Sequence, residues 1–170
     1  MYDAIFKIVI FGDAGCGKTA LTKRFITDKF IPDTIMTIGV EFEIKSMEIE
    51  DQMVKLQIWD FGGEERFRFL LPKYIRGASG GVLMYDITNY SSLSHVDEWL
   101  SVIKETEEVF PIILVGGKSD LDQYRQVSKE EGSKVAHSRD INNFIECSSK
   151  TGENVEQIFT ILAGNMLKKI

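Results

Sequence analysis

The sequence predicts a three-layer α/β fold: a mainly parallel six-stranded sheet with one antiparallel strand and helices on both faces. Three observations carry this expectation. Apolar runs of strand length alternate along the chain with stretches of helical apolar spacing, the pattern of strand–helix–strand crossovers. Two of the runs are separated only by Glu50-Asp51, too short a link for a crossover, so they pair as a hairpin. A glycine-rich turn joins the first apolar run to the first helix, and sheets of this kind bind ligands beyond the carboxyl ends of their strands. The 170 residues suffice for a buried core. With no linker, repeat or low-complexity segment, residues 1–170 are expected to form one domain.

In chain order, residues 4–11 read as a buried strand. Gly12-Asp13-Ala14-Gly15-Cys16-Gly17-Lys18-Thr19 follows and fits G-x-x-x-x-G-K-[ST], the phosphate-binding P-loop. Its glycines let backbone N–H groups turn inward to phosphate oxygens. Lys18 supplies positive charge for the β- and γ-phosphates, and Thr19 a hydroxyl for Mg²⁺. Residues 20–26 continue with helical spacing, aiming a positive dipole end at the anion. Strand, loop and helix in that order are the context the motif requires.

Residues 27–37 are irregular, with Asp28, Pro32, Asp33 and Thr34 favouring turns. Phe30 there either pins the loop to the body or stacks on a purine ring. Thr37 is either a turn residue or a hydroxyl that reaches Mg²⁺ and a γ-phosphate. Strands are expected at 38–47, with Val40, Phe42 and Ile44 on one face, and at 53–60, with Val54, Leu56 and Ile58 on one face. The second runs into Asp60-Phe61-Gly62-Gly63. A carboxylate at that strand end can hold a metal-bound water, and Gly63 can offer a bare N–H to a γ-phosphate.

Residues 68–78 read as a short irregular helix and 80–86 as a buried strand. Helical spacing over 91–108 places Trp99 in the core. A strand at 111–117 runs into Lys118-Ser119-Asp120. A helix over 128–138 carries a capping box, Ser128 to Glu131. A last strand at 142–147 precedes a last amphipathic helix at 154–167.

A net charge of −6 gives a nucleic-acid partner no electrostatic support. Cys16 and Cys147 are too few for a disulfide framework, which fits a reducing intracellular setting. Nothing resembles a signal peptide or an apolar run of membrane-spanning length.

Taken in order, these motifs resemble those of the Ras-superfamily small GTPases, and within them most the Rab family, over residues 5–167. The matching parts are the P-loop, Thr37 of switch I, Asp60 to Gly63 of switch II, Lys118-Ser119-Asp120 and Ser148-Ser149-Lys150. Rab-like stretches are Ile38-Gly39-Val40-Glu41-Phe42, Lys55-Leu56-Gln57-Ile58-Trp59-Asp60, Arg66-Phe67-Arg68, Tyr74-Ile75-Arg76-Gly77-Ala78 and Tyr85-Asp86-Ile87-Thr88. The resemblance implies a P-loop NTPase fold and a molecular switch that binds GTP or GDP with Mg²⁺ and slowly hydrolyses GTP, in Rab-like trafficking or signalling.

By that resemblance, Asp13, Ala14, Gly15, Cys16, Gly17, Lys18, Thr19 and Ala20 hold the phosphates. Asp120 accepts from guanine N1–H and the exocyclic amine, a donor pair that adenine lacks. Lys118 and Phe30 sandwich the ring, and Ser148, Ser149 and Lys150 complete the base site. Thr19, Thr37 and, through water, Asp60 hold the metal. Thr37 and Gly63 sense the γ-phosphate, and Lys18, Thr37, Gly63 and Glu64 take part in hydrolysis. Phe42, Trp59 and Tyr74 match the aromatic trio through which Rab proteins contact effectors, with exchange and GTPase-activating proteins also acting at the switches.

The chain departs from the family pattern in four places. Gly117 stands where the family has the Asn that ties the base loop to the P-loop and contacts guanine. Weaker nucleotide affinity is expected, and Gly117→Asn is expected to slow release. Glu64 replaces the Gln that orients the attacking water, and Phe61-Gly62 replaces Thr-Ala. The sequence ends at Ile170 with no cysteine for a lipid anchor, as a truncated chain also would. A cytoplasmic protein is expected, with peripheral membrane association left open. Two alternatives are a nucleotide-binding scaffold with little hydrolysis and a P-loop enzyme acting on ATP or nucleosides. The pairing of Lys118–Asp120 with Ser148–Lys150 argues against the latter.

Overall fold

The computed structural model describes residues 1–32, 39–63 and 65–170, without the side chains of residues 65–67. Thr37 and Glu64, two of the residues expected to act in hydrolysis, therefore lie outside the described residues, as do Asp33, Thr34 and Ile38.

Six strands, β1 (Ala4–Gly12), β2 (Val40–Ile49), β3 (Gln52–Phe61), β4 (Gly80–Asp86), β5 (Ile112–Gly117) and β6 (Asn143–Glu146), form one sheet in the order β2-β3-β1-β4-β5-β6. Only the β2–β3 pairing is antiparallel. The link between them is Glu50-Asp51, both at positive φ (50° and 64°), which lets so short a connection reverse the chain. The helices are α1 (Lys18–Thr27), α2 (Leu71–Ile75), α3 (Tyr90–Ser94), α4 (Val96–Glu105), α5 (Lys129–Ser138) and α6 (Val155–Leu167). A 3₁₀ segment covers Glu65–Leu70, and Ser119–Tyr124 is 3₁₀ backbone interrupted by a kink at Leu121.

The alternation of β1 builds a core on each side of the sheet. Phe6, Ile8 and Ile10 pack with Leu21 and Phe25 of α1 and Ile158 and Phe159 of α6. Val9 and Phe11 pack with Leu93, Trp99 and Ile103 on the other face. Phe25 and Phe159 stack with centroids 3.9 Å apart. Every residue of β4 is buried, as expected of a central strand covered on both faces.

Two expectations need refinement. Val54, Leu56 and Ile58 are fully buried, but Phe42 and Ile44, which share a face of edge strand β2, are nearly half exposed. The continuous helix expected over 91–108 is broken at His95, which closes α3 and opens α4 with ψ near zero. The Ser128–Glu131 capping box forms as expected, with both reciprocal hydrogen bonds present. No helix among the described residues is long and apolar enough to cross a membrane.

Candidate nucleotide site

The P-loop leaves the carboxyl end of β1 with Gly12, Gly15 and Gly17 at φ of 141°, 78° and 102°. Gly17 is the N-cap of α1 and contributes no side-chain cap. The first N–H groups of a ten-residue helix are thus left for an anion. Lys18, 5% exposed, donates from Nζ to the Asp13 carbonyl at 2.8 Å, which folds its stem over the loop. Gly63 lies hard against the same loop: a Cβ there would overlap the backbone of Gly12, Asp13 and Ala14. A side chain larger than hydrogen at 63 would push switch II off the P-loop.

The Thr19 hydroxyl donates to Asp60 Oδ2 at 2.5 Å, and Asp60 is buried at the end of β3. These are hard oxygen donors of the type Mg²⁺ selects. Among the described residues no group of three or more His, Cys, Asp or Glu could hold a metal. A cation at Thr19 and Asp60 would draw further oxygen ligands from phosphate and water, as Mg²⁺ does on a nucleotide, and the expected ligand Thr37 lies outside the described residues.

Next to the P-loop is a cavity of about 260 Å³, lined by Phe30, Lys118, Asp120, Ser149 and Lys150 together with Gly15, Gly17 and Ala20. Elements far apart in sequence are held around it by specific contacts. Lys118, in the left-handed region at φ 66°, closes β5 and sends Nζ back to the Gly15 carbonyl (2.8 Å) and to Asp86 Oδ2 (2.9 Å). Asp86 in turn accepts from the backbone N–H and hydroxyl of Thr88. Asp120 Oδ1 accepts from the Ser148 hydroxyl at 2.8 Å. Ser148 is buried, so it buttresses Asp120 rather than lining the cavity. Arg125 grips Glu146, just before Cys147-Ser148-Ser149, with two bonds of 2.7 and 2.9 Å.

Asp13 behaves differently from its neighbours in the loop. Its carboxylate turns away to α4, where Oδ1 accepts from Trp99 Nε1 (2.8 Å) and Oδ2 meets His95 Nδ1 (2.5 Å). Trp99 is in the core as expected, yet also braces the P-loop. His95, Asp86 and Met84 are further site residues that the sequence reading did not single out. Cys16 is fully buried, its thiol donating to the Met84 carbonyl at 3.4 Å. Burial raises the Cys16 pKa and pushes that of Cys147 up to about 12, so both thiols stay protonated and unreactive at neutral pH.

A sequence model described as the Ras family matches residues 7–168. The Ras-related protein SEC4 of Candida albicans is 44% identical over 169 residues, covering 99% of this chain and 80% of that protein. The Ras-related protein Rab-8B of Homo sapiens is 44% identical over 171 residues, with coverage of 99% and 82%. The Ras-related protein Rab-13 of Mesocricetus auratus is 41% identical over 169 residues, with coverage of 99% and 83%.

Proposed function

Because this chain belongs to the Ras family, we propose that the cavity beside the P-loop holds guanine and that the loops around it read the nucleotide state. The activity is that of a small GTPase: the protein binds GTP and GDP with Mg²⁺ and hydrolyses GTP to GDP and phosphate, as a Rab-like switch. The observation that carries the site assignment is the cavity's wall, which brings Asp120 and Ser149 together beside Gly15 and Gly17 of the P-loop.

Each residue then has a physical task. Lys18 and the open N–H groups of α1 balance phosphate charge inside a largely closed loop. The Thr19 hydroxyl, Thr37 and, through water, the Asp60 carboxylate would hold Mg²⁺, which would supply positive charge against the phosphates. Asp120, oriented by Ser148, accepts from guanine N1–H and N2–H₂, while Phe30 and the Lys118 stem flank the ring. Gly63 meets the γ-phosphate through its backbone N–H, with Thr37 acting from switch I and Glu64 on the attacking water. Loss of that phosphate frees both switches.

Exchange factors, GTPase-activating proteins and effectors act on this switch, as on Ras-family switches generally. The patch where effectors dock is Phe42, Trp59 and Tyr74. Their rings are contiguous, with centroids 4.7 Å apart for Phe42–Trp59 and 5.8 Å for Trp59–Tyr74, and Phe42 is 44% exposed. We place the protein in membrane trafficking, on account of its Rab-type relatives. A scaffold that scarcely hydrolyses is not favoured.

The experiment is nucleotide competition with single-turnover hydrolysis. Guanine nucleotides should displace labelled GDP at least 100-fold better than adenine nucleotides, and Asp120→Ala should erase that preference. Equal displacement by ADP and GDP in the wild type would overturn the base assignment.

A further inference from the structure

The side chain missing at Gly117 leaves no void. A Cβ built there would overlap Met84 Cε and come within 3.2 Å of the Cys16 carbonyl. Met84, on the neighbouring strand β4 and 1% exposed, has its terminal methyl in the space a residue-117 side chain would take. The same methyl would be 3.5 Å from a Cβ on Gly17, and Met84 lines the nucleotide cavity. One flexible thioether thus touches the P-loop, the base loop and the cavity together. Gly117 is not at positive φ, so its backbone admits any residue; a side chain there requires the flexible end of Met84 to move aside.

We propose that Met84 is a nucleotide-positioning residue of this GTPase: it replaces a polar tie between the base loop and the P-loop with an apolar one, and gives the cavity a wall without a hydrogen-bond donor. The inference rests on the guanine assignment above. With Asp120 on the N1–H and amino edge and Ser149 near the carbonyl, the five-membered ring turns toward the P-loop. Its N7 acceptor then faces the Met84 thioether, which has no proton to donate.

Two consequences follow from the chemistry. The first is coupling. The residue at 117 and the residue at 84 compete for one volume in a packed core, so their substitutions are not independent. An Asn added at 117 alone displaces the Met84 methyl, and the base cavity that Met84 lines is a space able to receive it. The earlier expectation that Gly117→Asn slows release thus reverses unless residue 84 is shortened with it. The second is specificity. A base lacking the N7 acceptor forfeits nothing here, so 7-deaza-guanine nucleotides are accepted as well as GDP.

The test is a double-mutant cycle on the whole chain, reading GDP release and the affinities of GDP, 7-deaza-GDP and ADP. Gly117→Asn alone should speed GDP release about tenfold, in line with overpacking. Met84→Val alone should speed it less, about threefold, by leaving a gap. The double variant should release GDP no faster than wild type. Wild type should bind 7-deaza-GDP within about twofold of GDP, whereas the double variant should favour GDP about fivefold, one hydrogen bond's worth. That shift needs the amide donor at 117 and should be absent from Met84→Val alone, so it reads which group faces N7 rather than a general loss of packing. Additive effects on release, or a wild type that already favours GDP fivefold over 7-deaza-GDP, would overturn the proposal. Loss of the GDP-over-ADP preference in Asp120→Ala checks the guanine assignment separately. Should Gly117→Asn not fold, Met84→Val and the double variant still decide the question.

Discussion

His95 Nδ1 and Asp13 Oδ2 lie 2.5 Å apart, joining the break between α3 and α4 to the P-loop across 82 residues of sequence. The hydrogen bond to the Asp13 carboxylate raises the His95 pKa above its ordinary value, outweighing burial, which lowers it. A raised native pKa means the folded state binds the proton more tightly than the unfolded one. The contact therefore stabilises fully below the unfolded value of about 6.5, and this contribution is lost as pH rises through the higher native value. With His95 40% and Asp13 20% exposed, solvent screening limits the gain to about 1 kcal/mol or less. Thermal melts should show His95→Ala destabilised more at pH 6 than at pH 8.5. A difference between variant and wild type that does not change with pH would disprove the linkage.

Thr19→Ala removes the hydroxyl that meets Asp60 and with it one expected metal ligand. GTP affinity should fall at least tenfold, and most of its Mg²⁺ dependence should vanish, since phosphate charge is then poorly balanced. Chelating Mg²⁺ should speed GDP release from wild type by a comparable factor. Affinity unaltered by the substitution and by chelation would remove Thr19 from the metal site.

Glu64, outside the described residues, follows Gly63, which lies on the P-loop backbone. An ionised carboxylate only accepts hydrogen bonds, whereas a protonated one also donates, as Gln does. A nearby γ-phosphate would raise its pKa. Intrinsic GTP hydrolysis should then vary between about pH 5 and 8, with Glu64→Gln flattening the profile and Glu64→Ala lowering the rate. Single-turnover rates that are the same and pH-independent in all three proteins would make Glu64 a bystander.

Glu146 is 7% exposed, and its bidentate bond to Arg125 binds the chain after Asp120 to the strand leading into Ser148 and Ser149. Among the described residues, Glu146→Ala would leave that guanidinium with Asp122 and the Val127 carbonyl. A loss of about 2 kcal/mol is expected, below the fully buried range because Arg125 remains partly exposed. Urea unfolding should report it, with faster GDP release alongside. Release unchanged despite lost stability would show that the base loop does not depend on this pair.

Much of the fold could be read from local pattern. β1, β4 and β5 are apolar runs because helices cover both faces, and the P-loop and the Ser128–Glu131 box carry their geometry in adjacent residues. Periodicity could place Trp99 inside, since it reports which face is buried. It could not say that Nε1 finds Asp13, a contact set by how α4 crosses β1. Gly117 was visible as a gap, but Met84 as its filling was not, because the two meet only through the β4–β5 register. Phe42 and Ile44 shared a face as expected, though nothing local showed that the face stays open at the sheet's edge.

The strand order also bears on how the chain acquires its shape. β1 is first in sequence, yet central in the sheet. Ala4 must await Val54, and Ile8 must await Gly80, before the strand has either neighbour. Only the β2–β3 hairpin can close early, from contacts near in sequence. Pairings this distant make folding slow and leave apolar edges uncovered meanwhile. On a ribosome the P-loop would emerge before either strand that flanks β1, so a nascent chain cannot retain nucleotide until β4 has been synthesised and docked.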